Sequence, residues 1–200
     1  MECLIKNGAN IKVFDALKWS PLHLAVWNGD LKITELLLDN ISEESETRSV
    51  LKSVTSKGST PFKLAVTNGH AHILKLLIER GALNSQEEEE TQGLFVTAIK
   101  KGYLDVVKCL HKHGAKLETL YHHNHTALHY AVEDGHINIA KYLIDNGAAV
   151  DAKTLKKERT PLHTAVIGLH SDVVEFLISN GANVDAKDAK DMTPLHLGMN

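Results

Sequence analysis

Cysteine is scarce in this sequence, with two in 200 residues. That is no disulfide framework, and it points to a reducing compartment, the cytoplasm or nucleus. No apolar run approaches the ~18–20 residues a membrane-spanning helix needs. The start, MECLIKNGAN, lacks the basic residues and apolar core of a secretory signal. Charge of one sign is missing too: 22 Lys and Arg stand against 25 Asp and Glu, a formal net charge of −3. Neither direct nucleic-acid binding nor a membrane surface is therefore expected from bulk electrostatics. Phosphate-cradling loops (GxGxxG, GxxxxGKS), HExxH, CxxC and GxSxG are all absent, so no catalysis and no cofactor is expected within these residues. What the chain has in surplus is histidine, with thirteen.

An internal period organises the sequence. SPLHLA (20–25), TPFKLA (60–65), GLFVTA (93–98), TALHYA (126–131), TPLHTA (160–165) and TPLHLG (193–198) recur at spacings of 40, 33, 33, 34 and 33. A second marker follows: NGA at 7–9, RGA at 80–82, HGA at 113–115, and NGA at 146–148 and 180–182. Between the two run short apolar stretches such as ILKLLI and VVEFLI, which read as buried helices. Thr or Ser before Pro is a helix start, because the hydroxyl accepts from orphan N–H groups and Pro has none to lose. The alanine allows helices to approach closely. Glycines 29, 69, 102 and 135 suit a tight turn between two helices, and glycines 81, 114, 147 and 181 a left-handed helix end. Each unit is thus helix, turn, helix, extended loop, and it is too small to bury its own apolar face without stacking.

This 33-residue period headed by T-P-L-H-x-A resembles the ankyrin repeat. The resemblance implies an all-α solenoid of stacked helix-turn-helix units with β-hairpin-like loops, forming a single domain over 1–200. Its expected parts are a partial unit 1–19, repeats 20–59, 60–92, 93–125, 126–159 and 160–192, and a partial unit 193–200. The first repeat is seven residues too long, and residues 41–59 read as an irregular, solvent-exposed insertion. The third lacks Thr, Pro and His at its head (Gly93, Leu94, Val96) and is expected to be poorly capped there, with the acidic run 87–90 on a loop tip. Leu169 stands where the fifth repeat should have its inter-helix glycine. Starting and ending mid-unit fits either a monomeric stack with degenerate caps or part of a longer array.

In the ankyrin family the fourth residue of T-P-L-H bonds to its own capping Thr and to adjacent backbone, which assigns His23, His129, His163 and His196 to the scaffold. His70, His136 and His170 open second helices, another position the family favours for histidine. His122, His123 and His125 remain, on a loop tip. On an extended hairpin His123 and His125 share a face while His122 points away, so a tetrahedral metal set is the minor reading. Cys3 and Cys109 occupy one equivalent apolar helix position and read as small buried residues, too far apart to pair.

The resemblance also implies a function: a non-enzymatic module that holds another protein, as adaptor, inhibitor or targeting scaffold, on its concave face. The alternative is a regulatory or substrate-recruiting segment of a larger enzyme, channel, toxin or host-directed effector. Positions that designed members of the family vary map here to Leu17, Trp19, Trp27 and Asn28 in the first repeat. In the third they map to Glu89, Glu90, Lys100 and Lys101. In the fourth they are His122, His123, His125, Glu133 and Asp134, and in the fifth Lys156, Lys157 and Arg159. The expected surface thus offers two tryptophans, then acidic, imidazole and basic tips.

Overall fold

The computed structural model describes residues 2–83, 88–119 and 125–199. His122 and His123 lie outside the described residues. Contacts divide the chain into two compact units, residues 1–94 and 95–200. Every regular element among the described residues is a helix.

The first unit contains α1 (Glu2–Lys6), α2 (Pro21–Trp27), α3 (Leu31–Asp39), α4 (Glu44–Leu51), α5 (Pro61–Thr67), α6 (Ala71–Glu79) and the start of α7 (Glu88–Lys100). Here α2 packs on α3 and α5, α5 on α6, and α3 on α6. The second unit continues α7 and adds α8 (Leu104–Lys112), α9 (Ala127–Glu133), α10 (Ile137–Asp145), α11 (Pro161–Ile167), α12 (Ser171–Ser179) and α13 (Pro194–Gly198). In it α9 packs on α10 and α11, α11 on α12 and α13, and α10 on α8 and α12. Within each unit, first helices stack on first helices and second on second. The alanines at 65, 98, 131 and 165 are fully buried, which is why no larger residue stands there. Around them the core is built by side chains such as Leu64, Leu74 and Leu77 in one unit, and Phe95, Leu128 and Leu143 in the other.

Helix starts follow the hydroxyl–proline signal. Ser20 and Thr60 accept from the backbone N–H of His23 and Lys63, and Pro21, Pro61, Pro161 and Pro194 open their helices. Histidine completes a reciprocal cap at Ser20, Thr126, Thr160 and Thr193. In each, the N-cap N–H donates back to the imidazole Nδ1, the role a Glu or Gln plays in the ordinary capping box.

Two segments differ from the sequence reading. Residues 41–59 are not irregular throughout: Glu44–Leu51 forms α4, with Glu44 and Glu46 in its first turn and Arg48 in its last, charges that suit the helix dipole. Its Leu51 is only 1% exposed. The head of the third repeat is not a loop tip either. With no Pro or capping hydroxyl to stop it, α7 begins at Glu88 and runs 13 residues, so Glu88, Glu89 and Glu90 form its first turn. Cys3 is exposed and Cys109 half-buried, and neither is in a disulfide, so the reading of two buried residues fails.

Glycine at the inter-helix turn has two causes, seen together at Gly135. Its φ is +71°, and a Cβ there would lie 2.8 Å from the His170 ring of the following repeat. Leu169 holds the same left-handed turn at φ +59° with its side chain 82% exposed. A leucine there bears a backbone penalty of about 1 kcal/mol and recovers nothing by burial. Leu169→Gly is expected to raise stability by roughly that amount, read as a higher urea midpoint at unchanged slope.

Candidate protein-interaction surface

The loop tips are built alike. At each of the four described tips, an Asp or Thr side chain accepts the N–H that closes the turn. Asp15 Oδ1 accepts from Leu17 and Trp19 at 2.9 and 2.7 Å. Thr55 and Thr154 Oγ1 accept from Ser59 and Arg159 at 3.2 and 3.1 Å. Asp188 Oδ1 accepts from Lys190 and Met192 at 2.8 and 3.1 Å. A backbone bond spans each turn as well, for example Asp15 N–H to Trp19 O and Asp188 N–H to Met192 O. Neighbouring tips are tied together: Ser56 N–H donates to Leu17 O, and Ala189 N–H to Lys157 O, each at 2.9 Å. Rigid tips lose little entropy on binding. The residue at the bend is left-handed in all four, namely Lys18 (φ +58°), Gly58 (+70°), Glu158 (+48°) and Asp191 (+55°). Only one of these is glycine, so three tips keep an exposed charged side chain at a backbone cost of about 1 kcal/mol each.

These features went unread in the sequence. The signal for them was present: Asp15, Thr55 and Asp188 each stand five residues before a capping Ser or Thr, and Thr154 six. Lys18, Glu158 and Asp191 belong with the surface residues for the same reason.

In the first unit the structure brings the predicted apolar residues together. Trp19 and Trp27 meet edge to face, with ring centroids 5.6 Å apart. Trp27 remains 49% exposed and Leu17 59% exposed, with Asn28 exposed beside Trp27. Such perpendicular aromatic pairs contribute about 0.5–1.5 kcal/mol beyond their buried area, so the patch is held in shape before anything binds. Glu89 and Glu90 are exposed on the first turn of α7.

The second unit holds the rest. Lys100 and Lys101 are exposed at the end of α7, with the Lys100 ammonium 5.0 Å from the centre of the Tyr130 ring, a cation–π approach. The His125 ring lies 5.3 Å from both the Tyr130 and the His129 rings, and its Nδ1 is 3.8 Å from Glu133. Burial, aided by the nearby Glu133 carboxylate, pushes the Tyr130 hydroxyl up. Asp134 is exposed next to Glu133, as are Lys156 and Lys157 on their tip. Arg159 instead turns to Asp188 at 3.5 Å. Burial alone would raise the Asp188 carboxyl, but the N–H groups of Lys190 and Met192 and the guanidinium of Arg159 hold it below the usual range.

Six of the histidines tie loops and repeats together. Nε2–H of His23, His129 and His163 donates to the carbonyls of Ser53, Arg159 and Met192, at 3.1, 3.0 and 3.0 Å, in the loop that closes the same repeat. His70, His136 and His170 reach back to the carbonyls of Trp27, Lys100 and Glu133. These rings set the spacing of the repeats, and His129 supports the surface from beneath. Among the described residues no three His, Cys, Asp or Glu side chains are grouped to hold a metal ion.

Comparison with known proteins agrees with this construction. A family model for ankyrin repeats in three copies matches residues 41–119 and 62–154. A single-repeat model matches 157–189, and one for many copies matches 2–38. The chain belongs to the ankyrin-repeat family, whose repeats are protein–protein interaction modules. It is 32% identical over 93 residues to human ankyrin repeat and SOCS box protein 3, a match covering 46% of this chain and 17% of that one. It is also 32% identical over 102 residues to the Gallus gallus nuclear factor NF-kappa-B p105 subunit, covering 50% of this chain and 10% of the other. A probable 26S proteasome regulatory subunit p28 of Saccharomyces cerevisiae is 33% identical over 79 residues, with 40% and 32% covered. The matches therefore span only a minor part of each relative. Among solved structures, the human ASB11 ankyrin repeat domain is similar with a TM-score of 0.72 and 25% identity, over 98% of this chain and 84% of that one.

Proposed function

We propose that this chain is a binding module that holds a protein partner on its loop tips and on the ends of its first helices. The observation that carries this reading is the Leu17–Trp19–Trp27 patch. It pairs two half-exposed or exposed apolar anchors with a rigid tip. Aromatic anchors of this kind dominate interface energetics, and the fold leaves about half of Trp27 uncovered. The relatives of known name carry the same kind of repeat in much longer chains. Recruitment of a substrate or regulator to a larger enzyme or channel is therefore the alternative form of the same binding.

The test is capture from lysate with wild-type and variant baits, followed by titration of the identified partner. Trp27→Ala is expected to weaken binding about 30-fold, a cost of about 2 kcal/mol, while circular dichroism stays as in wild type and stability falls by only about 0.5–1.5 kcal/mol, that of the lost ring pair. A partner that binds wild type and Trp27→Ala equally removes the patch from the site.

A further inference from the structure

We propose that the paired tips 153–159 and 187–191 form a docking site for an acidic peptide segment bearing an aliphatic side chain. This rests on the tips being a recognition surface and names the chemistry of what they recognise. The two tips carry six cations and three carboxylates. Each carboxylate is already engaged: Glu158 with Lys153, Asp188 with Arg159, and Asp191 with Lys187, at 3.3, 3.5 and 3.4 Å. Lys156, Lys157 and Lys190 are exposed and left over, giving a local excess of three positive charges on a chain whose net charge is −3.

The placement of these lysines is fixed by backbone bonds. Ala189 N–H donates to Lys157 O at 2.9 Å, and Lys153 Nζ donates to Lys187 O at 3.1 Å, so the two tips form one platform. Leu155 stands on that platform 64% exposed, an apolar anchor within the basic field. Both bends are left-handed without glycine, at Glu158 and Asp191. Glycine would make the same turn more easily, as Gly58 does. The charged residues kept there hold Lys153 and Lys187 in ion pairs and leave the other three lysines for a ligand. A peptide fits better than a nucleic acid. The three ion-paired carboxylates interrupt the lysines, so the tips offer no continuous cationic track for a phosphate backbone, whereas carboxylates spaced along a peptide can meet the lysines singly.

The probe is a fluorescein-labelled twelve-residue peptide repeating Glu-Leu-Asp, followed by fluorescence anisotropy with the whole chain. Binding is expected at 50 mM salt and should weaken as salt rises to 300 mM, because exposed charges are screened. The triple variant Lys156→Glu, Lys157→Glu, Lys190→Glu should lose at least about tenfold in affinity, with the milder Lys→Gln triple falling between. Reversing Lys75, Lys112 and Lys141, which lie on second helices, gives the same net charge away from the platform and should bind as wild type. Leu155→Ser should weaken binding while leaving its salt dependence intact. Failure of the peptide to bind, equal loss in both charge-reversed triples, or displacement by a twenty-nucleotide single-stranded RNA would overturn the proposal. The Trp27→Ala result is independent of these outcomes: a partner lost by that variant alongside a silent peptide sinks the acidic site and leaves the binding module standing.

Discussion

Between pH 6.5 and 4 the second unit is expected to lose about 3 kcal/mol of stability through His129 alone. The imidazole is fully buried, and burial is the main reason its pKa falls from 6.5 to about 4. The Arg159 carbonyl partly opposes that fall and the nearby His125 adds to it. The hydrogen bonds fix the neutral form. Thr126 N–H donates to Nδ1 and Nε2–H donates to Arg159 O, so an added proton on Nδ1 would face another donor. The unfolded chain binds this proton more readily than the folded one, and stability therefore falls as pH drops below 6.5 and levels off below about 4. His23 shifts in the same direction, again mainly through burial, so its contribution in the first unit has the same sign. His129→Gln is expected to cost about 1–3 kcal/mol at pH 7.5, because the Arg159 carbonyl loses its donor. The same variant should flatten the pH dependence. Both tryptophans lie in residues 1–94, so their emission follows the first unit, and far-UV circular dichroism in urea must be used for His129. Parallel pH profiles for wild type and variant would remove the assignment.

That histidine shows how much the sequence disclosed. The T-P-L-H signature and its near matches (TPFK at 60, TALH at 126) located α2, α5, α9, α11 and α13, because a capping hydroxyl with a proline, an imidazole or both at fixed spacing meets local needs of one helix start. Long-range consequences were legible only where the pattern repeats: the Nε2 bonds to the next loop span 29 to 30 residues, and one repeat predicts the others. Where the signature is absent, local reasoning failed. Gly93 and Leu94 offered no start, and the helix simply extended back to Glu88, since nothing in the acidic residues breaks it. Of the expected surface residues, Trp19 and Trp27 meet ring to ring, and Leu17 is exposed on the same Asp15-held tip as Trp19. Arg159 instead serves an ion pair with Asp188, because its partner sits on the following tip, 29 residues away. The left-handed bends at Lys18, Glu158 and Asp191 were hidden because turn handedness there is imposed by the Asp or Thr acceptor beneath, not by a glycine at the bend.

The second large effect concerns α4, whose sequence ESETRSVL looked like a polar loop. Its apolar side is narrow: Thr47, Val50 and Leu51, at helical spacing, are the positions that turn inward, and Leu51 alone is fully covered. Leu51 shares a small void with Phe62 and Ala82, so truncation enlarges an existing gap instead of closing one. Leu51→Ala is accordingly expected to destabilise the first unit by about 3 kcal/mol, within the 2–5 kcal/mol range of buried leucine truncations. Val54, three residues on and 46% exposed, provides the control: Val54→Ala should stay within about 0.5 kcal/mol. Tryptophan emission through a urea titration reads both variants, because Trp19 and Trp27 belong to the same unit. A pendant insertion would make the two substitutions equally harmless. A wide gap between them makes α4 a structural part of the first unit, one that supports the Lys52 side chain in its bond to the Ala82 carbonyl. Residues 41–59 would then connect two repeats through a packed helix, and shortening them to the ordinary period would cost the unit its stability.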